Sequence, residues 1–443
     1  MSRVFSHRRA RGIRRTAAAI AAAVLAGAGI FGTVFAHAVD GGAAFTRARD
    51  GAAGFAAAAA APDTVPGTAK ARPAAAAPPP ISTHAAASSV IDVKSGRIVF
   101  QENGDVPMRI ASLTKVMTAI VAIEHGNLTD IVKVGPRAYG KEGSSIYLRL
   151  GEEMTLHNML YGLMLRSGND AATAIAEHVG GSEEGFVYMM NEKARLLGLA
   201  NTSFKNPHGL DEEGHYSTAN DLAKLAAYAL KNPTFQEIVK TQVKTAPNPN
   251  EPWDYRWRNK NKMLHLYEGA DGVKTGYTKL ARRTLISSAT RGGQQFAVVT
   301  LNDGDDWNDH RRLLDYAFRH YPLYTIVRSG ERVHTENGVH LVAARTFEYP
   351  LAEGEAAELR KKFVPVPPDS TEYKLGERGR LEIYLRGERI ASLPLFEEGS
   401  SRWKAQARAA MLHQAAKEPR NGTFLEVLKS VGRALFTGNM KEG

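Results

Sequence analysis

The chain runs to 443 residues, 43% hydrophobic and 23% charged, long enough for two or three domains with a sizeable core. Its net charge of +11 belongs to its ends: residues 1–38 hold six arginines and no acid, and residues 402–443 hold eight Lys/Arg against three Glu. The body between them is neutral overall and makes no case for a nucleic-acid partner, and the absence of cysteine excludes disulfides, thiolate nucleophiles and Cys-based metal sites.

The first segment, residues 1–38, has arginines up to Arg15, an apolar stretch from Thr16 to Phe35 and then Ala36-His37-Ala38. This order predicts a secretory signal peptide cleaved after Ala38, with an uncleaved anchor as the alternative. Gly27-Ala-Gly29-Ile-Phe-Gly32 matches the dinucleotide fingerprint letter for letter, but it follows no strand and reads as small residues in a signal helix. Residues 39–83 are dominated by Ala, Gly and Pro and predict a disordered linker.

Structure is expected from about residue 84. Ser88–Val93 and Arg97–Phe100 read as a hairpin around Lys94-Ser95-Gly96. Val116, Ala119, Ile120 and Ile123 recur at helical spacing, so an amphipathic helix is expected to open at Ser112. Thr155–Leu165 and Asp170–Val179 read as helices broken at Ser167-Gly168-Asn169, with further helices over Phe186–Leu197 and Thr218–Leu230. Beyond Gly272, three strands are expected over Val273–Tyr277, Thr284–Thr290 and Gln295–Leu301, and a helix over Arg311–Arg319. These elements make residues 84–325 one α/β domain, an antiparallel sheet of about five strands with a helical cluster. Short β runs over Val339–Ala343, Phe363–Pro365, Arg380–Leu385 and Glu388–Leu393 predict a small all-β domain at 326–400, without a catalytic motif.

The tail, residues 401–443, is expected to be helical. Thr423 and Glu426 form a capping-box pattern, and Phe424, Val427, Leu428, Val431, Leu435 and Phe436 share one face. Such a helix, about 20 Å long, is too short to span a bilayer. Its apolar face and cationic flanks suit an in-plane helix on the outer face of the cytoplasmic membrane, with docking against protein as the alternative.

Three short elements carry the chemistry: Ser112-x-x-Lys115 on the helix start, Ser167-Gly168-Asn169 between helices and Lys274-Thr275-Gly276 on a strand. Ser112 and Lys115 stand about one turn apart, where a neutral amine can take the hydroxyl proton. Ser401-Arg-Trp-Lys404 repeats the first spacing without any partner. Taken singly, Ser167 reads as a helix cap and Lys274 as a solvated strand lysine; three elements in series argue against that. No G-x-S-x-G accompanies His208, His215 or His310, so these are read as structural, with His208 and His215 in a loop bordering the site. No H-E-x-x-H spacing is present, and no metal or cofactor is expected.

This motif set is that of penicillin-binding proteins and class A β-lactamases. Together with Arg109-Ile-Ala-Ser-Leu-Thr-Lys-Val-Met-Thr118, Asn206-Pro-His-Gly-Leu210, His215-Tyr-Ser-Thr218 and Asp271-Gly-Val-Lys-Thr-Gly-Tyr-Thr278, the chain from about Ala85 to Glu398 resembles the low-molecular-mass penicillin-binding proteins, D-alanyl-D-alanine carboxypeptidases. The resemblance implies a β-lactamase/transpeptidase-like fold. It also implies a peptidoglycan stem ending in D-Ala-D-Ala as substrate and β-lactam antibiotics as covalent inhibitors. Carried over, Ser112 is the nucleophile, Lys115 the base, Ser167 a proton relay and Asn169 the residue that holds Lys115 and the substrate amide in place. Lys274 and Thr275 meet the substrate carboxylate, Gly276 lets substrate lie along the strand, and the backbone N–H groups of Ser112 and Tyr277 form the oxyanion hole. The family's carboxylate-assisting arginine has no clear equivalent around Asp303–His310; Arg282, Arg283 and Arg311 are the candidates. Lys279-Leu-Ala-Arg-Arg-Thr284 is similar to spore-former versions, which implies a sporulation role. A serine β-lactamase is the alternative, disfavoured because no Glu lies four residues before an Asn between Ser167 and Lys274. A D,D-endopeptidase or transpeptidase shares the same acyl-enzyme, and a non-enzymatic wall-binding protein would need a disabled site.

Overall fold

The computed structural model describes residues 78–336, 338–406 and 408. The arginine-rich segment, most of the linker and the amphipathic helix expected at 423–436 lie outside the described residues.

Strands β1 (Ala85–Asp92) and β2 (Ile98–Glu102) form the expected hairpin. Asp92 Oδ1 closes its turn by accepting from Ser95 N at 2.7 Å and Ser95 Oγ at 2.6 Å. A 3-10 turn, Ala111–Thr114, then runs into α1 (Lys115–His125). The α-helix therefore opens at Lys115, and Ser112 belongs to the tighter turn, in which residues i and i+3 eclipse. Nor is α1 amphipathic: every residue from Lys115 to Ala122 is buried. Met117, Val121 and Ala122 fill the face that the helical spacing left unassigned, as befits the central helix of a domain.

The strands β3 (Ile131–Lys133) and β4 (Glu153–Thr155) pair across a long loop. Thr155 caps α2 (Leu156–Tyr161), which passes into a π turn, Gly162–Arg166, so the expected Thr155–Leu165 helix is α only in its first half. The helices α3 (Asn169–Gly180), α4 (Glu183–Leu196), α5 (Ala219–Ala229) and α6 (Pro233–Lys240) follow. α4 begins three residues before Phe186 because Ser182 caps it, its side chain accepting from Gly185 N at 2.9 Å. A hairpin of β5 (Val243–Ala246) and β6 (Tyr255–Arg258) and the short α7 (Met263–Leu266) lead into the meander β7 (Ala270–Thr278), β8 (Arg282–Arg291) and β9 (Gln294–Asp303). The next helix, α8, spans Asp306–His320; its first turn carries Asp306 and Asp309, so an apolar periodicity finds only its second part.

The main sheet has the antiparallel order β2-β1-β9-β8-β7. Alternation along β8 and β9 sends Ile286, Ala297, Val299 and Leu301 toward the α1 cluster, and Leu285, Phe296 and Val298 toward Leu313, Leu314 and Ala317 of α8. Each such Ile, Leu, Val or Phe side chain buried from water contributes about 1.5–3 kcal/mol. β7 stands at the sheet edge beside the 3-10 turn.

After α8, β10 (Leu323–Val327) pairs with β13 (Phe347–Pro350). A second five-stranded sheet joins β11 (Arg332–Glu336), β12 (Val339–Ala343), β14 (Leu359–Pro365), β15 (Glu377–Leu385) and β16 (Glu388–Glu397) in the order β11-β12-β16-β15-β14. Arg97, beside the β1–β2 turn, ties the two regions. It forks onto Glu355 at 2.8 and 2.7 Å and lies 5.3 Å from the ring centres of Tyr321 and Tyr349.

Candidate active site

The eclipsed 3-10 geometry sets Ser112 Oγ 3.1 Å from Lys115 Nζ. The same nitrogen donates to Asn169 Oδ1 at 2.6 Å and to the His208 carbonyl at 2.5 Å. A neutral amine has two N–H groups and one lone pair. Two carbonyl oxygens take the N–H groups, which leaves the lone pair for the Ser112 hydroxyl. Electrostatics favour that form: burial first, then the charges of Lys274 and Lys260, hold the Lys115 amine well below its ordinary value, against an opposing pull from Asp170.

Asn169 is fixed from three sides. Its Nδ2 donates to Glu142 O at 2.7 Å and its backbone N to Ser144 O at 2.7 Å, so the loop 142–148 and Lys115 are bound through one side chain. The neighbouring Asp170 secures that loop, accepting from Ser145 Oγ at 2.6 Å and from Ile146 N and Leu148 N at 3.1 Å. Ser167 closes the π turn with φ 66°, ψ 35°, a left-handed conformation uncommon for a side-chain-bearing residue. It is buried beside Asn169.

Lys274 is buried on β7, and its amine donates to Thr275 O at 2.7 Å. Burial and then the Lys260 charge bring its pKa down to about 7. Tyr277, by contrast, is 61% exposed at the edge of the sheet. Gly276 explains how strand and turn meet: a Cβ there would stand 2.4 Å from Thr284 Oγ1 and 3.1 Å from Ser112 N. Expected only to make room for substrate, this glycine is already required by the contact between β7 and the nucleophile turn.

Among the arginine candidates, Arg283 pairs with Asp306 of α8 and Arg311 lies 3.5 Å from Asn308. Arg282 is exposed, opposite Thr278 in the ladder, with φ 60°. The second Ser-x-x-Lys pair, Ser401 and Lys404, is exposed, with no site around it among the described residues. His310 is buried between Ser287 Oγ at 2.5 Å and Thr300 Oγ1 at 3.1 Å, within the sheet–α8 layer.

Three participants escaped the sequence reading. Lys260, whose Nζ lies 3.3 Å from Ser144 Oγ, is the further amine felt by both Lys115 and Lys274. The His208 carbonyl is a backbone group, which no residue type announces. Asp170 starts the expected Asp170–Val179 helix with no role assigned to it, and an acid in the first turn beside the recognised Asn169 is the signal that could have found it.

The model of the family described as D-alanyl-D-alanine carboxypeptidase matches residues 72–305. The chain belongs to this family. D-alanyl-D-alanine carboxypeptidase DacF of Bacillus subtilis (strain 168) is 36% identical over 332 residues, 70% of this chain and 85% of the relative. DacC of Escherichia coli (strain K12) is 31% identical over 339 residues, 71% of this chain and 83% of the relative. Among solved structures, penicillin binding protein 5 from Haemophilus influenzae superposes with a TM-score of 0.61 at 26% identity, covering 72% of this chain and 98% of that one. The fold is thus the α/β arrangement of antiparallel sheet and helices of the penicillin-binding D-alanyl-D-alanine carboxypeptidases.

Proposed function

We propose that the chain is a serine-type D-Ala-D-Ala carboxypeptidase that removes the terminal D-alanine from peptidoglycan pentapeptide stems. The observation that carries this reading is the Lys115 amine, buried, its pKa held well below the ordinary value, and 3.1 Å from Ser112 Oγ. Ser112 Oγ attacks the carbonyl carbon of the penultimate D-alanine as its proton passes to Lys115 Nζ. The backbone N–H groups of Ser112 and Tyr277 receive the oxyanion. The proton travels through the Ser167 hydroxyl to the amine of the departing D-alanine, the C–N bond breaks, and an ester to Ser112 remains. Water, giving its proton to Lys115, then attacks the ester carbonyl, and as the ester C–O bond breaks Lys115 passes that proton to Ser112 Oγ, restoring both the serine and the neutral base. Asn169 holds Lys115, and Lys274 and Thr275 attract the terminal carboxylate. The free edge of β7 at Gly276 and Tyr277 takes the substrate backbone as an added strand. A β-lactam enters the same way, but its opened ring stays attached as the acyl group.

The test is fluorescent-penicillin labelling with D-alanine release from a pentapeptide, using Ser112→Ala as control. Label and release should both vanish in the variant; undiminished release would remove Ser112 from its role, and rapid penicillin turnover would make the protein a β-lactamase. Similarity to the solved structure of a Streptomyces K15 DD-transpeptidase mutant, 31% identical with a TM-score of 0.52, keeps acyl transfer as a second reading. An added acceptor amine that diverts product from hydrolysis would favour it.

The exported location, the small all-β domain at 326–400 as a spacer and the in-plane membrane helix in 401–443 belong to the same proposal. Cationic flanks and an apolar face in the tail sequence support the anchor. No helix among the described residues is long and apolar enough to cross a membrane. Deleting residues 402–443 should release the protein from membranes; wholly membrane-bound truncated protein would remove the anchor assignment.

A further inference from the structure

We infer that His215 is a positioning residue that aims the backbone N–H of Ser112 into the oxyanion site, acting through Thr114 and the Ala111 carbonyl; this rests on the reading of Ser112 given above. His215 and Thr114 are both buried, at 5% and 0% exposure, and neither touches the reacting atoms.

The proton positions follow from the contacts. Lys205 N donates to His215 Nδ1 at 3.1 Å, so Nδ1 carries no proton and Nε2 does. Nε2–H then donates to Thr114 Oγ1 at 2.8 Å. The single Thr114 hydroxyl proton goes on to Ala111 O at 2.8 Å. Each group uses the role that the previous bond leaves it. The ring itself is fixed by the Lys205 bond at one nitrogen and by Phe204, edge-on at 5.8 Å between ring centres.

The end of this chain of bonds is the peptide unit that joins Ala111 to Ser112. A trans peptide is planar, so its N–H points opposite to its C=O, and whatever fixes the direction of Ala111 O fixes the direction of Ser112 N–H. The peptide unit needs such fixing. Ala111 has φ 47°, a left-handed conformation that costs an L-residue energy and would relax without support. Gly209, with φ 82°, presses on the same oxygen: a Cβ there would fall 2.0 Å from Ala111 O. On the opposite side of the peptide, Ser112 N lies 3.1 Å from the Cβ position of Gly276 on the strand along which substrate is proposed to lie. The loop 203–217 thus grips one side of the peptide so that the other faces the cleft. Burial above all, with smaller electrostatic contributions from His208, Arg109, Lys115 and Lys205 in their charged forms, lowers the His215 pKa to about 4 and favours the neutral ring that this bond chain requires.

The two ring nitrogens can be tested apart. His215→Asn keeps an acceptor near the Nδ1 position for Lys205 N and loses the donor to Thr114; His215→Gln keeps a donor near the Nε2 position. Thr114→Val removes the hydroxyl at nearly constant volume. In full-length protein, the acylation rate constant with fluorescent penicillin and the kcat for D-alanine release should fall roughly 10- to 100-fold in His215→Asn and Thr114→Val, as for a displaced oxyanion donor. The affinity of the initial complex and KM should stay within about threefold. His215→Gln should retain acylation within about threefold of wild type. The double variant His215→Asn/Thr114→Val should be no slower than the slower single variant. Equal losses in the Asn and Gln variants, a double variant as slow as the product of the singles, or wild-type acylation in Thr114→Val would overturn the inference. If His215→Asn does not fold, Thr114→Val and His215→Gln decide it. Failure of the parent reading looks different, because wild type itself would then neither take up penicillin at Ser112 nor release D-alanine.

Discussion

Gly276 and Ser112 meet without a side chain between them, the vacant Cβ position of one lying 3.1 Å from the backbone nitrogen of the other. Gly276→Ala would also bring a methyl to 2.4 Å from Thr284 Oγ1. The variant should lose about 1–3 kcal/mol of stability through overpacking. Its acylation rate should fall at least tenfold, and Thr284→Ala in the same chain should restore part of the stability. Denaturant unfolding and penicillin acylation of the single and double variants check both statements.

Lys115→Arg should fold yet scarcely react. A guanidinium cannot be deprotonated at working pH, so it cannot accept the Ser112 proton. The loss expected for a missing general base is about 10²- to 10⁴-fold in acylation rate. A variant retaining more than a tenth of wild-type acylation would show that the base lies elsewhere.

The rate should have an acid limb and an alkaline limb. The Lys115 pKa is depressed, so its neutral, basic form grows as pH rises and gives the acid limb. The Lys274 pKa is depressed to about 7, so its positive charge fades as pH rises through that value and substrate carboxylate attraction fades with it. A profile of kcat/KM against pH for a pentapeptide should therefore turn down above about pH 7, the two limbs belonging to the coupled pair. With an amide-terminated peptide, which offers no carboxylate, the alkaline limb should disappear and the rate should be low throughout.

Acid should destabilise the fold through its buried histidines before most carboxylates titrate. His310 is held to about 3 and His215 to about 4, both chiefly by burial, against an ordinary value of 6.5. Below pH 6.5 the unfolded chain binds these protons and the folded chain does not, so stability falls as pH falls. Each group adds a slope approaching about 1.4 kcal/mol per pH unit, ending only near its folded value. Urea unfolding between pH 6.5 and 5 measures this, and His310→Asn should give a shallower slope than wild type.

Much of the site was readable because its chemistry sits in short local patterns. Ser112 and Lys115 share one turn, Ser167 and Asn169 one loop, and Lys274 to Tyr277 one strand, so residue type and spacing suffice. The strands of the main sheet were also legible, since β8 and β9 alternate between two apolar layers. The rest lies in relations that distance along the chain hides. Lys260 reaches the cleft from a connecting segment, and the His208 carbonyl could have come from any residue. The π turn at Gly162–Arg166 keeps helical periodicity in sequence while ending the α-helix in space. Central α1 was read as one-sided because the i, i+3, i+4, i+7 spacing of Val116, Ala119, Ile120 and Ile123 picks out one face, whereas Met117, Val121 and Ala122 on the other are buried just as completely.

The main sheet places the first strand of the fold between β2 and the last strand of the meander, with Val90 opposite Val298 and Ala87 opposite Leu301. Ribosomal order and spatial order therefore disagree. A nascent chain can carry Ser112, Asn169 and Lys274 while β1 and β8 still lack the strand that joins them, so no product ending before Gln294 holds a finished site. Catalytic competence therefore requires β9, and a chain cut short before it leaves two open strand edges prone to aggregation instead of a partly working enzyme.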